Sequence, residues 1–92
     1  MIEKLEIGSI VKSNCGRDEG LFFVVLDFQN DNFREFALIA NGKEHKLQHP
    51  KKKNIKHLSV TNKKISVKCL TNKSLKSIIF RFISEKHIQE SE

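Results

Sequence analysis

Nine lysines and a single acid lie within the 26 residues "KEHKLQHPKKKNIKHLSVTNKKISVK", Lys43 to Lys68, a net of +8 in a 92-residue chain whose formal charge is +6. Ammonium groups at this density displace the counterions condensed on a polyanion, and the binding they give falls steeply with salt. Residues 1–42 carry a net −3 and residues 69–92 a net +1, so the positive excess is local. Such a stripe is the electrostatic footprint of a nucleic-acid binder. "PKKK" alone reads as a solvated loop; with Lys46, Lys56, Lys63 and Lys64 it becomes a patch.

Other chemistries find less support. His45, His49 and His57 are spaced four and eight apart with no CxxC pair, which matches no common zinc finger, so no metal site is expected. These histidines are expected to add hydrogen bonds or stacking beside the lysines, and His87 to be exposed near the chain end. No recognised motif sets an orienting group beside Cys15, and neither an enzyme nor a cofactor is expected. Cys15 and Cys69 are the only cysteines, expected as free thiols in a reducing cytoplasm. "MIEKLEIG" has no signal-like character, and no apolar run approaches the ~20 residues that span a bilayer.

The elements that must position the lysines follow from period and punctuation. Ninety-two residues make one domain. "GSIVKS", Gly8 to Ser13, predicts a first strand, and "LFFVVLDF", apolar and β-branched, a second and mostly buried one. "QNDN" reads as a turn and "REFALIA" as a third strand. Asn41-Gly42 is a strong type I′ hairpin signal, so "KEHKL" is expected to return as the fourth strand, ended by Pro50. "IKHLSV" supplies a fifth. Five short strands with tight turns predict a small closed or partly closed barrel.

The C-terminal third has a different period. Leu75, Ile78, Ile79, Phe82 and Ile83 form an apolar stripe at helical spacing behind Thr71 or Asn72 as N-cap, which predicts a helix over 73–86 packed on the barrel. "NKKISVKCL" fits either an extended segment or a helical turn, with the alternation of Ile65, Val67 and Cys69 favouring the extended form. Phe22, Phe23, Phe28, Phe36, Phe80 and Phe82 are assigned to the core. Because neighbours on a strand point to opposite faces, one of Phe22 and Phe23 needs separate cover, from the helix or from a stacked base, and the helix is the favoured cover.

Gly16 and Gly20 bracket Arg17, Asp18 and Glu19 in "SNCGRDEG", between the first two strands. On shape alone they are turn glycines. The run from Ile7 to Phe28, however, resembles the KOW motif, a strand, glycine-bearing loop and strand found in ribosomal and transcription-elongation proteins. More narrowly, "EIGSIVKSNCGRDEGLFFVV", "LIANGKEHKL" and "PKKKNIKHL" together resemble the small bacterial KOW-domain RNA-binding proteins that are similar to a eukaryotic and archaeal large-subunit ribosomal protein. The resemblance covers about residues 3–62. It implies an SH3-like barrel over 1–62, an extension over 63–92, and RNA as ligand, with Gly20 at the motif's hallmark position. Family loops often carry basic residues where this chain has Glu19 and Leu21, which leaves Arg17 between carboxylates.

The expected function is therefore a non-catalytic, cytoplasmic, monomeric module that binds structured RNA, ribosomal RNA first, in a mostly β fold with a C-terminal helix. The expected contacts are Gly16, Arg17 and Gly20 in the loop, then Lys12, Lys43, Lys46, Lys51, Lys52, Lys53, Lys56, His57, Lys63 and Lys64. Lysine-rich surfaces of this kind read phosphate geometry more than base identity. The alternative is a protein-interaction module, docking on a ribosomal or transcription protein through the acidic first 42 residues or the helix's apolar stripe.

Overall fold

A computed structural model describes residues 5–90, with side chains through Glu85. Residues 1–4 and 91–92 of the expected segments, and the side chain of His87, lie outside this description. Five strands form one antiparallel sheet: β1 (Ser9–Ser13), β2 (Phe22–Asp31), β3 (Arg34–Ala40), β4 (Lys51–Asn54) and β5 (Leu58–Lys64). A helix, α1 (Asn72–Glu90), follows. The order across the sheet is β4-β3-β2-β1-β5.

The expected barrel closure is not found. β4 and β5 end the sheet on opposite sides and form no ladder with each other. The 3₁₀ turn Ile55–His57 joins them, and Ile55, Leu58 and Val60 pack on one face of the sheet, over Val11, Phe23, Val25, Ala37 and Ile39. The other face, formed by Ile10, Phe22, Val24 and Ala40, is covered by Leu75 and Ile79 of α1. Burial on both faces explains why "FFVV" is continuously apolar, since successive side chains serve alternate cores. Phe22 meets Phe82 edge to face at 5.5 Å between centroids. The helix therefore covers Phe22, while Phe23 sits in the opposite core.

Three assignments shift. The fifth strand, expected over "IKHLSV", begins only at Leu58, because Ile55–His57 close into a 3₁₀ turn, and it runs on to Lys64. "QNDN" is not the turn: Gln29, Asn30 and Asp31 stay paired to Phe36, Glu35 and Arg34, and the chain reverses at Asn32-Phe33. Asn32 takes φ 57°, a left-handed conformation that asparagine tolerates and a two-residue hairpin turn requires. "KEHKL" is not a strand either. Asn41 folds the chain onto itself, its Oδ1 accepting from the amides of Lys43 and His45 while its own amide donates to the His45 carbonyl. The fourth strand is instead "KKKN", after Pro50.

The 41–50 loop anchors the helix. Asn72 Oδ1 accepts from the Leu47 amide at 2.8 Å and its Nδ2 donates to Gln48 Oε1 at 2.8 Å. Gly42 comes so close that a Cβ there would lie 2.4 Å from the Asn72 carbonyl oxygen. Thr71 caps the helix: its Oγ1 accepts from the Ser74 amide and its own amide donates to Ser74 Oγ, a reciprocal pair that satisfies two otherwise orphaned donors. α1 runs beyond the expected end at Lys86. Residues 65–71 form neither strand nor helix, and Cys69 turns the chain at φ 57°. Cys15 and Cys69 are free thiols. Phe28 and Phe80 are exposed, contrary to the core expected of them: Phe28 lies past a bulge at Leu26, in the part of the β2–β3 hairpin that extends beyond both cores, and Phe80 stands on a flank of α1, at the rim of a hollow shared with Leu21.

Candidate nucleic-acid interface

Strand alternation splits the lysine triplet. On β4 the ammonium groups of Lys51 and Lys53 both reach Asp18, whereas Lys52 lies over the Phe36 ring, 4.4 Å from its centroid. β4 is an edge strand, and charged side chains there also hinder pairing with a foreign strand.

Asp18 is the centre of the glycine-bearing loop and is only 4% exposed. Its Oδ1 accepts from Ser13 Oγ at 2.8 Å and Lys53 Nζ at 2.9 Å, and Lys51 Nζ lies 2.8 Å from Oδ2. Lys53 also donates to the Cys15 carbonyl at 2.7 Å and is 8% exposed. Burial alone would push the Asp18 carboxyl up. The hydrogen bonds from Lys51, Lys53 and Ser13 outweigh it and hold the carboxyl well below the usual carboxylate range.

This geometry explains both glycines. The loop closes where the Gly20 amide donates to the Ser13 carbonyl and the Ser13 amide to the Leu21 carbonyl. Gly16 and Gly20 take φ of 88° and 90°, where a Cβ is strained. At Gly16 a Cβ would also sit 3.2 Å from Lys53 Nζ; at Gly20 it would meet nothing within 4 Å. Gly20 is thus required by backbone conformation, and the space before it is open. Arg17 and Glu19 are exposed on either side of the inward-facing Asp18.

The remaining expected residues do not form one patch. Lys56 and His57 are exposed on the 3₁₀ turn, which is fastened to the loop's first residue: the Asn14 amide donates to the His57 carbonyl, and Asn14 Nδ2 to Ser59 Oγ. Lys12 is half-buried with its ammonium 5.9 Å from the Phe22 ring centroid, and it shares a hollow with Ser59, Thr61, Asn62 and the exposed Lys63. Lys43, beside Glu44, and Lys46 are exposed on the 41–50 loop. Lys64 pairs with Glu6. His45 packs against Phe23, with ring centroids 5.8 Å apart, and so turns toward the core. Among the described residues no three His, Cys, Asp or Glu side chains gather as a metal site.

Asp18 is the residue that sequence reasoning missed. Its neighbours Arg17 and Glu19 are equally charged, and only the pairing of β4 with β3 brings Lys51 and Lys53 to the loop. No helix among the described residues is long and apolar enough to cross a membrane. Compared with known proteins, the chain matches no protein-family model and no curated protein.

Proposed function

We propose that this protein is a non-catalytic RNA-binding module of the SH3-like, KOW type, acting in the cytoplasm on ribosomal or ribosome-associated RNA. The observation that carries the reading is the exposure of the basic segment after its internal pairs are formed. Lys51 and Lys53 serve Asp18, yet Lys46, Lys52, Lys56, Lys63 and Lys68 remain exposed within one 26-residue stretch. The KOW resemblance supplies the ligand class, and two features support it: the five-stranded antiparallel sheet, and a hallmark glycine whose outer side is open. Lys53, buried on Asp18, leaves the contact set.

The test is a titration of the full chain with structured RNA across a salt series. The logarithm of the binding constant should fall linearly with log salt, by roughly 0.7–0.9 per phosphate contact. Absence of RNA binding, or a salt-independent constant, overturns the reading.

One observation favours the alternative of protein docking. Leu21, Phe80 and Ile83 are exposed around a hollow of about 510 Å³ on one flank of α1, with Phe80 74% exposed. A docking module would lose its partner on Phe80→Ser, a change that leaves the lysines intact.

A further inference from the structure

Two hollows meet on the other flank of α1. The first, about 420 Å³, is lined by Lys12 of β1, by Ser59, Thr61 and Asn62 of β5, and by Phe82. The second, about 530 Å³, lies between Ile65 and the helix, bounded by Lys73, Ser77, Ile78 and Arg81. Lys63 and Glu85 line both, so the two form one trough along the edge strand β5. Its ionic groups are four cations, Lys12, Lys63, Lys73 and Arg81, against the single acid Glu85.

Spacing makes this a built arrangement along the helix. Lys73, Ser77 and Arg81 are four residues apart, so they stand one above another on successive turns and carry the trough about 12 Å along the axis at 1.5 Å per residue. Asn62, Lys63, Lys73, Ser77 and Arg81 are all exposed, and Ile65, Ile78 and Phe82 give the floor an apolar strip. An elongated, open site with cations along its walls and an apolar floor matches the chemistry of one polynucleotide strand: phosphates on the ammonium and guanidinium groups, ribose and base faces on the floor. A globular partner would instead need a broad apolar centre.

We propose that the trough between β5 and α1 holds one strand of the bound RNA, with Lys12, Lys63, Lys73 and Arg81 on its phosphates. This rests on the RNA-binding reading and extends it to the helix, which thereby supplies half of the binding surface as well as covering the core.

The test compares the full chain with Lys73→Gln/Arg81→Gln and, as a control that removes equal charge, Arg34→Gln/Lys76→Gln. Arg34 lies at the β2–β3 turn, and Lys76 lines the hollow on the opposite flank of α1. Thermal melting first verifies that each variant is folded. Binding to fluorescent poly(U) and to an RNA hairpin is then measured from low to high KCl. The trough variant should lose about 1.4 from the log–log salt slope, at roughly 0.7 per single-strand phosphate contact, while the control, whose charges act only through the long-range field, should lose clearly less. Equal losses in both variants, or an unchanged trough variant beside a binding wild type, overturn the trough and leave RNA binding standing. Wild-type protein that binds neither RNA overturns the parent reading and the trough with it. Polyglutamate competing as well as RNA at equal charge would reassign the trough to an acidic peptide.

Discussion

Asp18 holds the loop between β1 and β2 by gathering two ammonium groups around a buried carboxylate. Removing one partner of such a pair leaves an uncompensated charge, at a cost of about 3–5 kcal/mol. Asp18→Asn should therefore lower stability by an amount in that range in urea denaturation, because Lys53 keeps its charge in a site with 8% exposure. The pH dependence has a definite sign. The folded carboxyl titrates below its unfolded value near 3.8, so the stabilisation is complete above the unfolded value and is lost as pH falls through the lower, folded one. The gap between wild type and Asp18→Asn should stay constant from neutral pH to about pH 5 and narrow only in stronger acid. A gap that closes between pH 7 and 6 would assign the effect to another group. Gly16 and Gly20, which both take positive φ, were legible from the sequence as turn glycines. That Asp18 faces inward was not, because it depends on two lysines more than thirty positions away.

At the scale of elements, the apolar patterns were readable wherever a side chain meets a core. "GSIVKS", "LFFVV" and "REFALIA" lie where period 2 and β-branching predict, and the helix stripe has Leu75 and Ile79 buried. The failures fall on segments whose conformation is set by polar bonds. "KEHKL" followed a strong hairpin signal, yet the Asn41 side chain takes two loop amides and Asn72 takes a third, which holds 41–50 as a loop against the helix. "KKKN" has no apolar residue to declare it a strand, and its ladder with Phe36, Ala37, Leu38 and Ile39 is imposed by its neighbour. The helix is correspondingly a structural part of the domain. Most of a protein helix's stability comes from packing its apolar face, so burial against the sheet must stabilise this one. Leu75 is fully buried between β1, β2 and β3 residues, and Leu75→Ala should cost about 2–5 kcal/mol. Thr71→Ala, which removes the cap, should cost about 0.5–2 kcal/mol. Equal melting temperatures for the full protein and a chain ending at Leu70 would overturn this account.

For the whole molecule, the charge map matters more than any one contact. The distal β2–β3 hairpin exposes Asp27, Asp31 and Glu35 against Arg34 alone, and lies beyond both cores. If RNA is held between β5 and α1, these acids act on it only through the long-range field. That field is screened over about 10 Å at 0.1 M salt and about 30 Å at 0.01 M. Asp31→Asn/Glu35→Gln should therefore speed RNA association at low ionic strength, because a less negative hairpin repels the incoming polyanion less. The dissociation rate should be unchanged, and the gain should vanish near physiological salt. Stopped-flow binding at the two ionic strengths separates the cases. A gain that persists at high salt, or a slower dissociation, would mean that the hairpin touches the RNA directly, and the binding surface would then extend across β3 and β4 instead of ending at the trough.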